Sequence, residues 1–336
     1  MNAKSCDIVF FLAVSVLIKC RANTNLALSQ DSFRQILRSF TPVPDGRTSN
    51  LSDTRIIYVN RSVRRQISFR FENITSLLDH PDFDLQKPTV FYIHGYVEIT
   101  SDASVLQVMD AYVKRGDHNI LVLEWANLAF GNYLNVVLNV KEVGKESGKA
   151  LGKLLKNGLS IDGLHVVGHS AGAHVAAVVA RVLKKNGFTL LRLTGLDPAY
   201  PGFYPAIDTH PINSKDAVFV DIIHTDGGKY GTPLSIGHAD FWPNDGKSTQ
   251  PGCPPVTLIL TNEYICSHWR SWQYWAESVV GGNFVARNCA NYNAFLKGNC
   301  SGTARMGLQA TPELRGNFYL RTASKEPFAL GVTGVA

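Results

Sequence analysis

The sequence predicts an α/β fold in a single domain, with a mostly parallel central sheet that helices cover on both faces. Two observations predict this fold. Short, nearly continuous apolar segments such as Ile120–Leu123 and Ala217–Ile223 alternate along the chain with helix-like segments. Strands that are apolar throughout are buried on both faces, which is typical of parallel sheets packed between helices.

Composition supports a large folded domain. The chain has 336 residues, of which 45% are hydrophobic and 18% are charged, and its formal net charge is +6. These proportions are ordinary for globular proteins and exclude extensive disorder. The length is sufficient for one large domain or two small ones, and for a substantial core.

The N-terminus has the pattern of a secretory signal peptide. Lys4 precedes an apolar run of 11 residues, Ile8–Ile18, and Ala22 offers a small residue for cleavage. The run is too short to span a bilayer. We therefore predict a signal peptide over residues 1–22, a secreted protein, and no transmembrane anchor.

Residues 23–55 are polar and contain Pro42, Pro44 and Gly46, so we interpret them as a polar lead-in or a pro-segment. Regular elements follow. The predicted strands are Val90–Ile93, Ile120–Leu123, Leu164–Val167, Leu190–Leu196 and Ala217–Ile223. The predicted helices are Ser104–Val113, Lys141–Asn157 and Gly172–Lys185.

Four cysteines remain after the predicted signal peptide, and an even number in an exported chain predicts disulfide bonds. Four cysteines allow three pairings. We favour the two local pairs, Cys253 with Cys266 and Cys289 with Cys300, because each closes a short loop.

Three sequons of the form Asn-X-Ser/Thr also fit an exported protein, in which such triplets accept glycans. They begin at Asn50, Asn60 and Asn73. Because such triplets also arise by chance, they add only weak support for export.

A candidate nucleophile lies in Gly168–Gly172, the pentapeptide Gly-His-Ser-Ala-Gly, directly after a predicted strand and before a predicted helix. In this setting a tight turn projects Ser170 at the carboxyl edge of the sheet, and the two glycines remove side chains that would clash. The helix N-terminus favours negative charge. We predict a serine hydrolase of the α/β-hydrolase fold; the alternative is a glycine-rich turn with an inert serine.

The acid of such a site follows the serine in the chain and precedes the histidine. Asp197 is the first candidate, because it comes directly after the next predicted strand and before Pro198, which stiffens the turn. Asp221 and Asp226 are alternatives. A strand-end cap is the other reading of Asp197.

The base is expected beyond the acid, and four histidines qualify: His210, His224, His238 and His268. His268 follows Cys266, so a disulfide would fix its loop, and it precedes an amphipathic helix rich in tryptophan. The residues alone rank His268 only slightly above the others.

Two backbone N–H groups are expected to stabilise the oxyanion of a tetrahedral intermediate. One belongs to Ala171, the residue after the serine. The other is expected from the turn after an earlier strand, and the N–H of Tyr96 in His-Gly-Tyr is well placed for it. The alternative is an ordinary strand end.

Five motifs in this order resemble the animal neutral lipase family, which includes pancreatic lipase, lipoprotein lipase and the secreted phospholipases A1 of wasp venoms. They are Phe91–Tyr96, Gly168–Gly172, Gly195–Ala199, Asp221–Asp226 and Cys266–His268. The resemblance covers roughly residues 55–336 and implies a lipase-type catalytic domain over residues 56–336.

The resemblance implies a catalytic triad of Ser170, Asp197 and His268, because the family's histidine lies two positions after the second lid cysteine. It makes His224 structural and implies the oxyanion hole described above. The yolk proteins of flies share the fold but lack the serine, so the serine found here favours an enzyme.

The resemblance also bears on substrate. The family's lid lies between two cysteines, and here only 12 residues separate Cys253 from Cys266. The loop Gly227–Asp240 is short as well, and short versions of both resemble the phospholipase A1 branch, which releases the sn-1 fatty acid. The alternatives are a triacylglycerol or galactolipid lipase, and a catalytically silent yolk-type lipid-binding protein.

We expect a phospholipid or glyceride substrate at a lipid–water interface, a monomer, and no nucleic-acid partner. Segment Asp208–Asp216 corresponds to the calcium-binding segment of pancreatic lipase, but the family's arginine is absent and Asn213 replaces an acid. We therefore predict neither a metal nor a cofactor.

Overall fold

The computed structural model describes residues 50–60, 65–255 and 262–336. The predicted signal peptide and most of the predicted lead-in lie outside the described residues. Within the described part, no helix is long and apolar enough to cross a membrane.

One sheet organises the described residues. Its strands are Arg55–Asn60 (β1), Arg65–Arg70 (β2), Thr89–Ile93 (β3), Asn119–Glu124 (β4), Leu164–His169 (β5), Arg192–Leu196 (β6), Phe219–Ile223 (β7), Ala239–Pro243 (β8), Val285–Cys289 (β9), Cys300–Arg305 (β10) and Gly316–Leu320 (β11). The α-helices in the described part of the chain are Ala103–Arg115 (α1), Ala126–Ala129 (α2), Tyr133–Lys156 (α3), Ala171–Lys185 (α4), Asn262–Val279 (α5) and Tyr292–Leu296 (α6).

The strand order is β2-β1-β4-β3-β5-β6-β7-β8-β11-β9-β10. All neighbours from β4 through β11 in this order pair in parallel, whereas β1, β2, β9 and β10 pair antiparallel at the two edges. The prediction of a mostly parallel α/β-hydrolase sheet is therefore confirmed. The parallel centre brings the ends of β3, β5 and β6 to one edge, where the predicted site residues lie.

Helices cover both faces, because alternate residues of the central strands enter different cores. In β3, Phe91 and Ile93 join the core under α3 and α4, while Val90 and Tyr92 join the core under α1 and α5. All four side chains are buried. This pattern explains why the central strands are apolar at every position.

Helices α3 and α4 approach closely because glycines replace larger side chains where they meet. A Cβ at Gly144 would lie 2.5 Å from Cβ of Val178, and one at Gly148 would lie 2.8 Å from Cβ of Val182. Gly152, two turns beyond Gly144, has room, since a Cβ there would lie 3.8 Å from its nearest neighbour, a methyl carbon of Leu183.

Local signals set the helix ends. The side chain of Asn132 accepts a 2.9 Å hydrogen bond from the backbone N–H of Leu134 and caps α3. Helix α1 ends at Arg115, and the residue that follows, Gly116, has a left-handed φ of 85°, which favours glycine.

Several boundaries differ from the prediction. Helix α3 begins at Tyr133 rather than Lys141, because its first two turns are mostly apolar and lack the lysines that marked the predicted segment. Helix α5 begins at Asn262, so His268 lies inside a helix and does not precede it. The edge strands were not predicted; β2 and β10 are polar and partly exposed.

Both favoured disulfides are present. Cys253 is bonded to Cys266, and Cys289 is bonded to Cys300 across the register of β9 and β10. The first bridge attaches the N-terminal part of α5 to the loop after β8, whereas the second lies at the far edge of the sheet.

Candidate active site

Ser170 occupies a strained turn between β5 and α4. Its φ of 54° and ψ of −123° are rarely adopted by a residue with a side chain. The flanking glycines make this turn possible: a Cβ at Gly168 would lie 2.4 Å from the carbonyl oxygen of Gly172, and one at Gly172 would lie 2.3 Å from that of Ile93. The structure thus supports the predicted need for both glycines.

Asp197 follows β6, the neighbour of β5, and the pairing of His169 with Leu196 brings it beside Ser170. The two turns are joined through the backbone, since Ser170 N–H donates to Leu196 O at 3.0 Å. Asp197 also has a positive φ of 43°. Two residues with strained backbones therefore lie at the ends of adjacent strands.

The Asp197 carboxylate is fully buried and accepts three hydrogen bonds. Its Oδ1 accepts the backbone N–H groups of Thr225 at 2.8 Å and Asp226 at 3.1 Å, and its Oδ2 accepts Nδ1–H of His268 at 2.6 Å. Gly231 must lack a side chain, because a Cβ there would lie 2.3 Å from Asp197 Oδ1. The carboxylate is held rigidly with its second oxygen toward the imidazole.

The His268 ring lies between the nucleophile turn and an aromatic side chain. Its centroid is 4.8 Å from that of His169, the residue before Ser170, and 5.5 Å from that of Tyr230. The backbone oxygen of His268 accepts a hydrogen bond from the hydroxyl of Ser271 at 2.8 Å. The structure therefore brings Ser170, Asp197 and His268 to one edge of the sheet.

Electrostatics favour a cationic ring at His268. Burial alone lowers the pKa of an imidazole, but here the hydrogen bond to Asp197 and the charges of Asp197, Asp226 and Glu98 outweigh it and raise the pKa. Burial, together with the charge of Asp197, raises the pKa of Asp226. A site that stabilises an imidazolium suits a general base that gains a proton during reaction.

The alternative acid Asp221 serves another purpose. Its two carboxylate oxygens accept a forked pair of hydrogen bonds from Arg192 at 2.9 and 2.8 Å, and Oδ1 also accepts the hydroxyl of Thr194 at 2.7 Å. Asp221 is thus part of a buried network within the sheet and does not contact His268 in any described bond.

The alternative histidines lie in structural positions. His224 is buried, contacts Asp240 Oδ1 at 2.8 Å through Nε2, and stacks on Trp242 with 3.7 Å between ring centroids. His238 accepts the backbone N–H of Val220 at 3.0 Å, and His210 is exposed.

The predicted oxyanion loop lies against Ser170. A Cβ at Gly95 would be 2.9 Å from Cβ of Ser170, so the peptide leading to Tyr96 passes directly over the serine. Ala171 opens α4 immediately after the serine. Tyr96 packs edge-on against Tyr133 with 5.1 Å between ring centroids.

One group of described residues has the spacing of a metal site. Ligand atoms of Asp197, Asp226 and His268 lie within 4.8 Å of one another. Asp197 and His268 are bonded to each other as a carboxylate–imidazole pair, and Asp226 lies beside this pair. In the segment Asp208–Asp216, Arg181 Nε donates to the Asp216 carboxylate at 2.7 Å. The positive guanidinium therefore balances the charge of this carboxylate.

The three sequons differ in exposure. Asn50 and Asn73 are exposed, whereas Asn60 is buried and its amide donates to a carboxylate oxygen of Asp82. A glycan fits the folded surface at the first two positions, and at Asn60 it would displace this hydrogen bond.

A comparison with protein-family models matches residues 33–328 to the family described as Lipase. The chain belongs to the lipase family. It is 31% identical to the pancreatic triacylglycerol lipase of Oryctolagus cuniculus over 325 residues, which cover 87% of this chain and 68% of that one.

Two further relatives are a phospholipase A1 and a protein related to pancreatic lipase. Phospholipase A1 member A of Rattus norvegicus is 31% identical and matches 74% of this chain and 58% of its own length. Pancreatic lipase-related protein 2 of Homo sapiens is 30% identical and matches 82% and 64%, respectively. The matched region is thus about three fifths to two thirds of the length of these relatives, and the resemblance to the animal lipases is confirmed.

The sequence alone does not reveal several contacts that shape the site. Thr225 and Asp226 orient Asp197 through their backbone N–H groups, which no side-chain motif reveals. Gly231 is needed only because the Asp197 carboxylate fills its space. Glu98 was also missed, because nothing in the sequence distinguishes a buried glutamate from a surface one.

Proposed function

We propose that this chain is a secreted serine esterase that hydrolyses carboxylic esters of lipids, with Ser170 as nucleophile, His268 as base and Asp197 as orienting acid. The observation that carries the proposal is the 2.6 Å hydrogen bond between His268 and Asp197 beside a serine in a strained turn. Membership in the lipase family supports the same chemistry.

In the first step, His268 Nε2 takes the proton from the Ser170 hydroxyl as its oxygen attacks the ester carbonyl carbon. Asp197 holds the Nδ1–H tautomer and stabilises the imidazolium. The backbone N–H groups of Tyr96 and Ala171 donate to the oxyanion of the tetrahedral intermediate. The intermediate collapses, the C–O bond to the alcohol breaks, and His268 returns the proton to the leaving alkoxide.

In the second step, His268 removes a proton from water, and the resulting hydroxide attacks the acyl-serine carbonyl. The second tetrahedral intermediate expels the Ser170 oxygen, which regains its proton from His268. The net products are the fatty acid and an alcohol, and no external oxidant or cofactor takes part.

The substrate we favour is a phospholipid, cleaved at the sn-1 ester. The short segment between Cys253 and Cys266 supports this, because a small lid leaves less apolar surface to hold a triglyceride. A relative named phospholipase A1 adds support. The second candidate is triacylglycerol or galactolipid hydrolysis, which the pancreatic relatives favour.

The decisive test of the enzyme is Ser170→Ala, purified after secretion with its matched control Ser147→Ala. Ser147 is a buried serine of α3 whose hydroxyl has no hydrogen-bond partner among the described residues, so its removal should break no hydrogen bond. Ser170→Ala should abolish release of fatty acid and labelling by an organophosphonate ester, while Ser147→Ala keeps both. Wild-type protein that neither hydrolyses lipid nor reacts with the probe would support a silent lipid-binding protein.

The substrate class is tested by comparing phosphatidylcholine with triolein, both emulsified at equal interfacial area. A phospholipid labelled only in its sn-1 chain should release labelled fatty acid faster than triolein releases oleate. Preferential hydrolysis of triolein or of a galactolipid would establish the second candidate.

Export is tested by expression in eukaryotic cells. The processed protein should start near residue 23, appear in the medium as a monomer, and carry glycans at Asn50 and Asn73 but not at buried Asn60. Peptide mapping after glycosidase treatment identifies each site. Retention of the uncleaved chain inside the cells would contradict export.

A further inference from the structure

Glu98 is a buried carboxylate that the proposed mechanism does not use. It lies in the loop after β3, two residues beyond Tyr96, and only 4% of its surface is exposed. Because burying a carboxylate without partners is costly, its contacts indicate what holds it there.

One oxygen of Glu98 joins the two halves of the candidate site. Oε2 accepts the backbone N–H of Gly95 at 2.6 Å and Nδ1–H of His169 at 3.1 Å. A Cβ at Gly95 would lie 2.9 Å from Ser170 Cβ and 3.1 Å from that same Glu98 oxygen. The residue before Tyr96 and the residue before Ser170 are thus bonded to a single atom.

The loop that Glu98 holds is strained. Val97 has a φ of 54°, which is costly for a β-branched residue, and its N–H donates to Ala129 O at 2.9 Å. A strained loop keeps its shape only where the surroundings over-determine it. Two hydrogen bonds supply this constraint: the bond from Val97 N–H to Ala129 O, and the bond from Gly95 N–H to the Glu98 carboxylate.

Glu98 is ionised wherever the site works. Burial acts to raise its pKa, but the charge and hydrogen bond of His169 and the charge of His94 lower the pKa to about 2. Hydrogen bonds to an ionised acceptor are stronger than those to a neutral one. The bonds from Gly95 and His169 are therefore suited to fixing geometry.

We propose that Glu98 is a positioning residue that sets the Tyr96 N–H at the correct distance from Ser170 by tying Gly95 to His169. This inference rests on the proposed function of Tyr96 and Ser170. Glu98 itself touches neither substrate nor the reacting atoms; it acts through the loop and through the residue preceding the nucleophile.

The test compares Glu98→Ala, Glu98→Gln and Glu98→Asp with a soluble ester. Loss of one oxyanion donor lowers kcat by about 10²- to 10³-fold in other hydrolases, so Glu98→Ala should lower kcat about 100-fold with KM within about twofold. Glutamine keeps the side-chain length, and its oxygen at the Oε2 position accepts both Gly95 N–H and His169 Nδ1–H, as the carboxylate oxygen does. We expect Glu98→Gln to retain kcat within about tenfold of wild type.

Aspartate separates geometry from charge. It keeps the negative charge but is one methylene shorter, so it does not reach Gly95 and His169 together. Positioning requires Glu98→Gln to be more active than Glu98→Asp, and a purely electrostatic role requires the reverse. This order decides the proposal even if Glu98→Ala does not fold.

The matched control is Glu277→Ala, which removes a carboxylate that accepts two backbone N–H groups, from Phe328 at 2.6 Å and Ala329 at 2.8 Å, outside the site. It should lower the melting temperature and leave kcat within about twofold. The second-order rate of labelling by a phosphonate, whose oxygen occupies the oxyanion hole, should fall in parallel with kcat in the Glu98 variants.

The proposal is overturned if folded Glu98→Ala keeps wild-type kcat, or if Glu98→Asp exceeds Glu98→Gln. Failure of the proposed function is distinct from this, because wild-type protein would then be inactive and unlabelled, whatever residue stands at position 98.

Discussion

Asp226 and His268 face the same carboxylate. Asp226 donates its backbone N–H to Asp197 Oδ1, and His268 donates Nδ1–H to Oδ2 of the same residue. The Asp226 side chain adds a second negative charge within this buried group. The imidazole therefore sits in a field that favours its protonated form, and the site's pH dependence should reveal this.

The first prediction concerns the acid limb of kcat/KM. A base must be neutral to act, so activity falls as pH drops through the raised pKa of His268, and this limb should lie above the ordinary imidazole value of about 6.5. Asp226→Asn removes a negative charge that raises this pKa, so the limb should move to lower pH. Initial rates with a soluble ester between pH 5 and 9 measure the shift.

The other groups that act on the His268 pKa, namely Asp197 and Glu98, remain in this variant. Asp79→Asn, which removes an exposed charge elsewhere, serves as the control and should leave the profile unchanged. A limb that stays in place or moves to higher pH in Asp226→Asn would contradict the electrostatic account.

The second prediction compares the two disulfides. They close loops of similar length, with sequence separations of 13 and 11, so replacing either pair by serine should cost about 3 kcal/mol of unfolding free energy. Of the two bridges, only Cys253–Cys266 is attached to α5, the helix that presents His268. Its removal should lower kcat by at least about tenfold, since small displacements of a catalytic group are costly.

Urea unfolding and single-turnover kinetics on Cys253→Ser/Cys266→Ser and Cys289→Ser/Cys300→Ser provide the comparison. Equal losses of kcat in the two double variants would show that the bridges act only through overall stability.

The third prediction concerns the glycines of α3. Alanine at Gly144 would clash with Val178 and should destabilise the fold by about 1–3 kcal/mol. Alanine at Gly152 has room and relieves the flexibility of a mid-helix glycine, so it should stabilise by about 0.5–1 kcal/mol. Thermal and urea unfolding measure both.

The same substitution on one helix should thus have opposite signs. Stabilisation by Gly144→Ala would mean that α3 and α4 are further apart than the structure places them.

The centre of the fold was predictable because burial dominates there. Strands such as β4 and β7 are apolar along nearly their whole length, and only a sheet covered on both faces buries such segments completely. Edge strand β10 carries mostly charged or small residues, and in β2 only Ile67 and Phe69 are apolar; each of these strands pairs on one side only, with the strand that precedes it in the chain. Both segments are only six residues long and largely polar, so they were not predicted as strands.

The candidate site divides in the same way. Ser170 was predictable, because a strained turn demands glycines at fixed positions. The choice of histidine was not, because four candidates follow the acid and only the family resemblance separated His268 from His224. Glu98 was beyond prediction, since its burial and its bond to His169 arise where the loop after β3 packs against the end of β5.

The order of the site residues along the chain has a consequence for the cell that makes the protein. Synthesis delivers Ser170 and Asp197 first, and the imidazole follows 71 residues after the carboxylate. Under the proposed mechanism, a growing or truncated chain that stops before α5 holds a hydroxyl with no base to activate it. Lipid-cleaving capacity therefore arises only after α5 has been synthesised, which spares the membranes of the producing cell from shorter, incomplete chains.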